Sequence, residues 1–321
     1  MPRVAVIGAR GYTGAELLPL LHHHPAFEIV AVASGSAAGE AVTDHVPGME
    51  GSELVFSDLQ PADLASIEMD ACVLALPNGA AAPYVEVIDN TRPDTVIVDL
   101  GADYRFDEGW VYGQPERFGE RLEGARRIAN PGCYATGAQL ALAPLLGRLE
   151  GTPSVFGVSG FSGAGKKPSP KNDPERLRDN LMPYALVDHV HEREVSRHIG
   201  RQIRFLPHVA PFFRGISLSV SLTLAEPGGA AEVFALYEAY YADAPLVEIR
   251  RDIPEVGEAR GRHGVIIGGF SISGQDPRQL SLVCVLDNLL KGAATQAIQN
   301  LNLAFGLDEL AGIDVSGESA Q

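Results

Sequence analysis

The stretch Val4-Ala5-Val6-Ile7-Gly8-Ala9-Arg10-Gly11-Tyr12-Thr13-Gly14 decides how the chain reads. Arg3–Gly8 is short, apolar and ends on glycine, the pattern of a buried strand, and Gly14–His24 has helical character. Gly8, Gly11 and Gly14 recur every third residue between them, a variant of the GxGxxG turn. Backbone without Cβ atoms can approach a pyrophosphate at the positively polarised N-terminus of the helix. Gly8, Arg10, Gly11, Tyr12, Thr13 and Gly14 are therefore candidate dinucleotide-binding residues. The second strand, Glu28–Ser34, runs into Ser34-Gly35-Ser36, where an acid would hold a ribose 2′-hydroxyl; none stands there. Hydroxyls at Ser34 and Ser36 with Arg10 nearby suit a 2′-phosphate, so NADP is expected over NAD.

Working outward, Ala71–Leu76 and Thr95–Leu100 are two more short apolar runs bounded by turn or polar residues. Strands alternating with helices imply a Rossmann-type, doubly wound parallel sheet, hence an α/β fold. After roughly residue 150 the pattern changes. Ser154–Ser159, Ile203–Leu206, Ile216–Ala225, Val265–Ser273 and Gln279–Asp287 read as longer, partly alternating strands, with helices at Ala230–Tyr241 and Asn288–Ala304. That predicts an α+β second domain with a mixed or antiparallel sheet. The last helix is expected to return to the first domain, and the polar tail Ala311–Gln321 to fray.

Length and composition bound the rest. The 321 residues are enough for two domains, and 45% hydrophobic with 21% charged residues excludes a disordered chain. No apolar run approaches the length a membrane span needs, and Met1-Pro2-Arg3 shows no signal-peptide pattern. A net charge of −16 repels polyanions, which argues against nucleic-acid binding and requires a locally basic pocket for any phosphorylated ligand. Cys72, Cys133 and Cys284 form neither an even disulfide framework nor a CxxC metal pair, so a reducing, cytoplasmic compartment and no metal are expected.

Asn130-Pro131-Gly132 is turn chemistry and places Cys133 in the first turn of a helix that includes Ala138–Leu146. A helix N-terminus favours a thiolate, so Cys133 is the candidate nucleophile. Cys72 and Cys284 lie inside apolar strands and read as packing residues. His189-Val190-His191, with Glu194 close by, offers imidazoles of the kind that serve cysteine catalysis, although a surface pair reads equally well. If that segment is a strand, both rings share one face. His22-His23-His24 reads as a solvated helix end. The small-residue loop Ser159–Lys167 carries Lys166 and Lys167, the place to look for an anion.

Taken together, these motifs resemble the N-acetyl-gamma-glutamyl-phosphate reductases of arginine biosynthesis over nearly the whole chain. The resemblance is carried by Gly8–Gly14, Leu74-Ala75-Leu76-Pro77-Asn78-Gly79, Val98–Phe106, Tyr112-Gly113-Gln114-Pro115-Glu116 and Asn130-Pro131-Gly132-Cys133-Tyr134. Asp287–Ala294 with Gln296, Gln299 and Asn300 completes it. Ser169–Pro174 through His191–Val195 is most similar to the branch found in fungal bifunctional proteins and some bacteria. Gly35 stands where most relatives have Arg, Gly101 where they have Ser, and Asn78 where they have His.

The resemblance implies an NADP-binding domain over 1–132 and 287–321 and a catalytic and oligomerisation domain over 133–286. It implies a homo-oligomer, dimer or tetramer, acting on a small acyl phosphate. Cys133 would form a thioester with loss of phosphate, and reduction would release a semialdehyde while His189 or His191, oriented by Glu194, trades the proton. It adds Pro77 and Asn288 to the cofactor residues, and makes Arg105, Lys166, Lys167, Lys171 and Arg214 candidates for the phosphate and carboxylate. A same-mechanism reductase of aspartyl or N-acylated aminoadipyl phosphate, and a non-catalytic NADP-binding redox sensor, are the alternatives.

Overall fold

The computed structural model describes residues 1–315, so residues 316–321 of the expected frayed tail lie outside the described residues. The chain divides into two compact units, Met1–Gly132 with Ala293–Gln321, and Cys133–Gly292.

In the first unit β1 (Arg3–Ile7), α1 (Tyr12–His22) and β2 (Glu28–Ala33) are followed by β3 (Ala71–Leu74) and α2 (Ala82–Thr91). Then come β4 (Val96–Asp99), β5 (Val111–Tyr112), α3 (Pro115–Leu122) and β6 (Arg127–Ala129). All strands pair in parallel, in the order β2-β1-β3-β4-β6-β5. β3 and β4 are buried at every position, as a sheet covered on both faces requires. The C-terminal helix Thr295–Ala304 belongs to this unit and packs on α1 and α3. The start of the tail does not fray. Asn302 Nδ2 donates to the Glu309 and Ala311 carbonyls at 3.0 and 2.9 Å, and Ile313 is buried. At the end of α1 His23 is exposed as expected, but His24 is buried, its Nε2 on Asn302 Oδ1 at 3.0 Å, and burial lowers its pKa.

The second unit begins with α4 (Cys133–Leu142) and β7 (Leu149–Gly160), then α5 (Pro174–Leu177), β8 (Met182–Pro183), α6 (Val190–Ile199) and β9 (Arg204–Ala210). It continues with β10 (Ile216–Leu224), α7 (Ala230–Tyr240), β11 (Val247–Ile249), β12 (Val265–Ile272) and β13 (Gln279–Leu286). The sheet order is β11-β12-β13-β10-β7-β9-β8, and it is mixed, with β7/β9 and β11/β12 parallel and the other pairs antiparallel. β10 alternates Ile216, Leu218, Val220, Leu222 and Leu224, all buried, with Ser217, Ser219, Ser221 and Thr223, so one face builds a core with α4 and α7. Asp287 and Asn288 make their hydrogen bonds inside this unit, and the return to the first unit comes at Ala293, later than the expected 287.

Candidate active site

The cofactor-binding candidates lie at the carboxyl edge of the parallel sheet. β1 has β2 on one side and β3 on the other, a topological switch point of the kind where such sheets take nucleotides. Gly8 sits there at φ +84°, and a Cβ on it would fall 2.3 Å from the Ala75 carbonyl oxygen. A Cβ on Gly14 would fall 2.5 Å from the Ala9 oxygen. Gly11 is different: its Cβ would meet only the Gly8 oxygen, at 3.4 Å, and would otherwise fill space before the N-terminus of α1. No side chain caps that helix. A glycine cradle ahead of an uncapped helix start fits a pyrophosphate.

Beside it Arg10 Nη1 donates to Ser36 Oγ at 3.1 Å, and the Ser34 and Ser36 hydroxyls are 3.4 Å apart. The expectation that no acid stands near these groups is corrected. Ala33 pairs with Ser57 in a parallel bridge, and this brings Asp58 alongside: a Cβ on Gly35 would lie 2.9 Å from Asp58 Oδ1. The loops after β3 and β4 are tied together. Asp103 accepts the Gly79 and Ala81 N–H groups at 2.6 and 3.1 Å, and Asn78 Oδ1 accepts that of Ala102 at 3.1 Å. Pro77, expected at the cofactor, accepts the Ala80 N–H in the same loop.

Arg105, expected to hold substrate, is buried and donates to two backbone carbonyls, Asn130 at 2.9 Å and Leu100 at 2.9 Å. Asn130 in turn donates its N–H to the Asp99 carbonyl at 2.8 Å and accepts from Asn300 Nδ2 at 2.9 Å. These bonds hold the turn that leads into Cys133.

In the second unit Cys133 is the first residue of α4 and is partly exposed, whereas Cys72 and Cys284 are buried. Burial pushes the Cys72 thiol up to about 12 and the Cys284 thiol higher, so both remain protonated packing groups. Gly292 backs onto Cys133; a Cβ there would lie 2.7 Å from the Cys133 Cβ. Tyr134 is buried, its hydroxyl donates to the His208 carbonyl at 2.7 Å, and its ring faces His191 with centroids 5.8 Å apart. Burial first, then the neighbouring Tyr184 and Cys133, push the Tyr134 phenol up; burial, then Cys133, does the same for Tyr184. Both phenols are thus neutral hydroxyls beside the cysteine.

The histidine segment is not a strand. His189 is the N-cap of α6 and His191 lies in its first turn, because the His189 ring takes over the capping role that an Asn or Ser side chain usually fills. The rings come together all the same, centroids 4.9 Å apart at 66°. Burial, then the Lys171 charge, pulls the His189 pKa down to about 4. Lys171 Nζ stands 4.7 Å from the Tyr184 ring centre, and Tyr184 is 5.5 Å from His189. Glu194 is fully buried on α6, three residues after His191 and hence on the same side of the helix. The second unit therefore gathers Cys133, Tyr134, Tyr184, His189, His191 and Lys171.

The remaining candidates are placed otherwise. Arg214 forms an ion pair with the buried Asp287, its Nε 2.6 Å from Oδ2 and its Nη2 donating to Oδ1 at 3.1 Å. Asn288 spends its amide on Ser162 Oγ at 2.9 Å and the Gly215 N–H at 2.7 Å, so it braces the loop beyond β7. Lys166 and Lys167 follow Gly165 in that loop, at the exposed end of the segment. The His208 ring lies against Phe156, tilted at 42° with centroids 4.4 Å apart, and its Nδ1 is on the Leu206 carbonyl. Among the described residues no cluster of His, Cys, Asp or Glu could hold a metal, and no helix is long and apolar enough to cross a membrane.

Tyr134 and Tyr184 escaped the sequence reading, although the place of Tyr134 next to Cys133 was a usable signal. Asp58 had none, because its position depends on a pairing between distant segments.

The fold is that of the semialdehyde dehydrogenases. The family model for the semialdehyde dehydrogenase NAD-binding domain matches residues 3–125, and that for the dimerisation domain matches 133–288. Aspartate semialdehyde dehydrogenase II of Vibrio cholerae has the same fold, with TM-score 0.77, 19% identity and coverage of 94% of this chain and 98% of that one. So does the Candida albicans aspartate semialdehyde dehydrogenase solved with NADP, at TM-score 0.72 and 18% identity, covering 94% and 98%. N-acetyl-gamma-glutamyl-phosphate reductase of Xanthomonas campestris pv. campestris (strain B100) is 52% identical over 97% of this chain and 98% of its own length. That of Xylella fastidiosa (strain M23) is 53% identical over 97% and 94%. The chain belongs to the N-acetyl-gamma-glutamyl-phosphate reductase family.

Proposed function

We propose that the chain reduces N-acetyl-glutamyl 5-phosphate to N-acetyl-glutamate 5-semialdehyde and phosphate, a step of arginine biosynthesis, with NADPH as reductant. The observation that carries this reading is Cys133 at the first position of α4, with Tyr134, Tyr184 and the histidine pair gathered in the same unit. Three free cysteines and the absence of a membrane-length helix among the described residues support work in the cytoplasm. The dimerisation-domain match supports a homo-oligomer, a dimer or tetramer.

The chemistry follows from the residues. His191 takes the Cys133 proton, and the thiolate adds to the acyl carbon; the carbon–oxygen bond to phosphate breaks and phosphate leaves with the electron pair. A nicotinamide cofactor, when bound, supplies the hydride that becomes the aldehyde C–H. The resulting thiohemiacetal oxyanion is stabilised by the imidazolium proton, and its collapse breaks the C–S bond and returns the thiolate. His189, held neutral, offers a hydrogen bond from Nε2, and Lys171 supplies positive charge for the phosphate or carboxylate. Gly8, Gly11 and Gly14 would seat the pyrophosphate, and Arg10, Ser34 and Ser36 the 2′-phosphate.

The test is the reverse reaction, with aldehyde, phosphate and NADP⁺ supplied and NADPH absorbance followed. N-acetyl-glutamate semialdehyde should give the highest kcat/KM of three substrates, above aspartate semialdehyde and the N-acetyl-aminoadipate homologue. A higher value for either competitor assigns the enzyme to a different acyl phosphate. No turnover with any of them points to a sensor.

A further inference from the structure

We propose that Asp58 is a specificity-determining residue that holds back the preference for NADP, and that Gly35 is what lets it do so. The inference rests on the reading of Arg10, Ser34 and Ser36 as the site for the 2′ end of the cofactor. Three observations support it. The Ala33–Ser57 bridge and the Ser34 N–H bond to the Ser57 carbonyl at 2.9 Å carry Asp58 to the end of β2, next to Ser34 and Ser36. Among the described residues the exposed Asp58 carboxylate has no ion pair, and its one hydrogen bond comes from Gln60 Nε2, at 2.9 Å on Oδ1. It lies 2.9 Å from the point where any side chain at residue 35 would begin.

Gly35 is not required by its backbone, for it is absent from the glycines with positive φ. Space links it to Asp58: an alanine at this position makes the flexible carboxylate turn away. Carboxylates at the end of the second strand accept from the ribose 2′-hydroxyl of NAD, whereas arginine pairs with the 2′-phosphate of NADP. This chain holds both signals within one turn, Arg10 on Ser36 and Asp58 against Gly35. The carboxylate repels a 2′-phosphate and can accept from a 2′-hydroxyl, so Asp58 narrows the difference between the two nucleotides.

The experiment titrates NADP⁺ and NAD⁺ separately into the full chain by calorimetry, at low and high salt, for native, D58N, G35A and the double variant. Asn keeps the shape and can still accept from Gln60, so D58N should fold. D58N is expected to tighten NADP⁺ by roughly three- to fivefold and not to tighten NAD⁺. G35A should move the ratio of the two affinities in the same direction, and the double variant should add little to either single one. The D58N effect should shrink at high salt, as an exposed charge interaction does. A ratio that stays within twofold of native in D58N overturns the proposal, as does G35A moving the ratio the other way. If the native chain binds neither nucleotide, the cofactor reading fails and this one with it; binding with an unchanged ratio defeats the Asp58 assignment alone.

Discussion

His189 Nδ1 accepts the backbone N–H of His191 at 3.1 Å, and this one bond separates the two imidazoles chemically. With Nδ1 occupied and the pKa drawn down to about 4 by burial and Lys171, His189 is neutral with its proton on Nε2 and is a poor base near neutral pH. The proposed mechanism therefore takes His191 as the acid–base group and His189 as the residue that orients substrate. His191→Asn is expected to lower kcat by about 10²–10⁴ and to change the pH profile of kcat/KM. His189→Asn keeps a side chain able to cap α6; it should raise KM more than it lowers kcat and leave that profile unchanged. Steady-state kinetics of both variants from pH 5 to 9 check this. The opposite split would make His189 the base.

Three cysteines in three environments give a second test. Cys133→Ala should abolish turnover while leaving nucleotide binding intact. Cys72→Ala and Cys284→Ala should retain activity and each cost about 1 kcal/mol of stability, as small buried truncations do. Alkylation of the native chain at pH 8 should label Cys133 alone, since burial keeps the other two thiols protonated. Peptide mapping after labelling is the measurement.

What was legible in the sequence followed the range of the physics. The glycine turn, the helix start at Cys133 and the buried strands β3 and β4 are local events, written in a few adjacent residues. The parallel first sheet and the mixed second sheet followed from periodicity. The α6 helix was missed because His189-Val190-His191 has no conventional cap residue, and a histidine ring fills that role. The bonds from the Arg105 guanidinium to the carbonyls of Leu100 and Asn130 were not legible, because no sequence spacing links it to those residues. Asp58 likewise reaches Gly35 through a bridge between segments 24 residues apart, Ala33 and Ser57.

Arg10 should matter to one nucleotide only. Its guanidinium is fixed on Ser36 beside Ser34, a ready partner for phosphate oxygens. Arg10→Ala is expected to weaken NADP⁺ by about tenfold, equivalent to about 1.4 kcal/mol, with NAD⁺ affinity within twofold of native. Calorimetric titration of both nucleotides reads this directly. Equal losses for the two would mean that Arg10 supports the turn and does not read the 2′ end.

Asp99 gives the fold a pH dependence of known sign. It is fully buried, Oδ1 accepts the Gly101 N–H at 3.1 Å, Oδ2 has no hydrogen-bond partner among the described residues, and burial raises its pKa from 3.8 to about 6. Between these values the folded chain holds a proton that the unfolded chain releases, so the Asp99 contribution is present below pH 4 and is lost as pH rises through 6. Asp99→Asn should remove that part of the slope, gaining most over native above pH 6. A Cβ at Gly101 would lie 3.2 Å from Oδ1 and 3.4 Å from Oδ2, so Gly101→Ser places a hydroxyl against the carboxylate and should flatten the slope as well. Thermal melts from pH 4.5 to 8 give the comparison; parallel curves for native and Asp99→Asn would refute it.

The covalent step proposed at Cys133 is the central claim, and phosphate release without nucleotide tests it most directly. Enzyme mixed rapidly with N-acetyl-glutamyl 5-phosphate, with no nicotinamide nucleotide present, should release a burst of about one phosphate per active chain. An acyl adduct should map to the Cys133 peptide. Cys133→Ala should show neither. No burst from native enzyme, or an adduct on any other residue, would contradict the thioester mechanism.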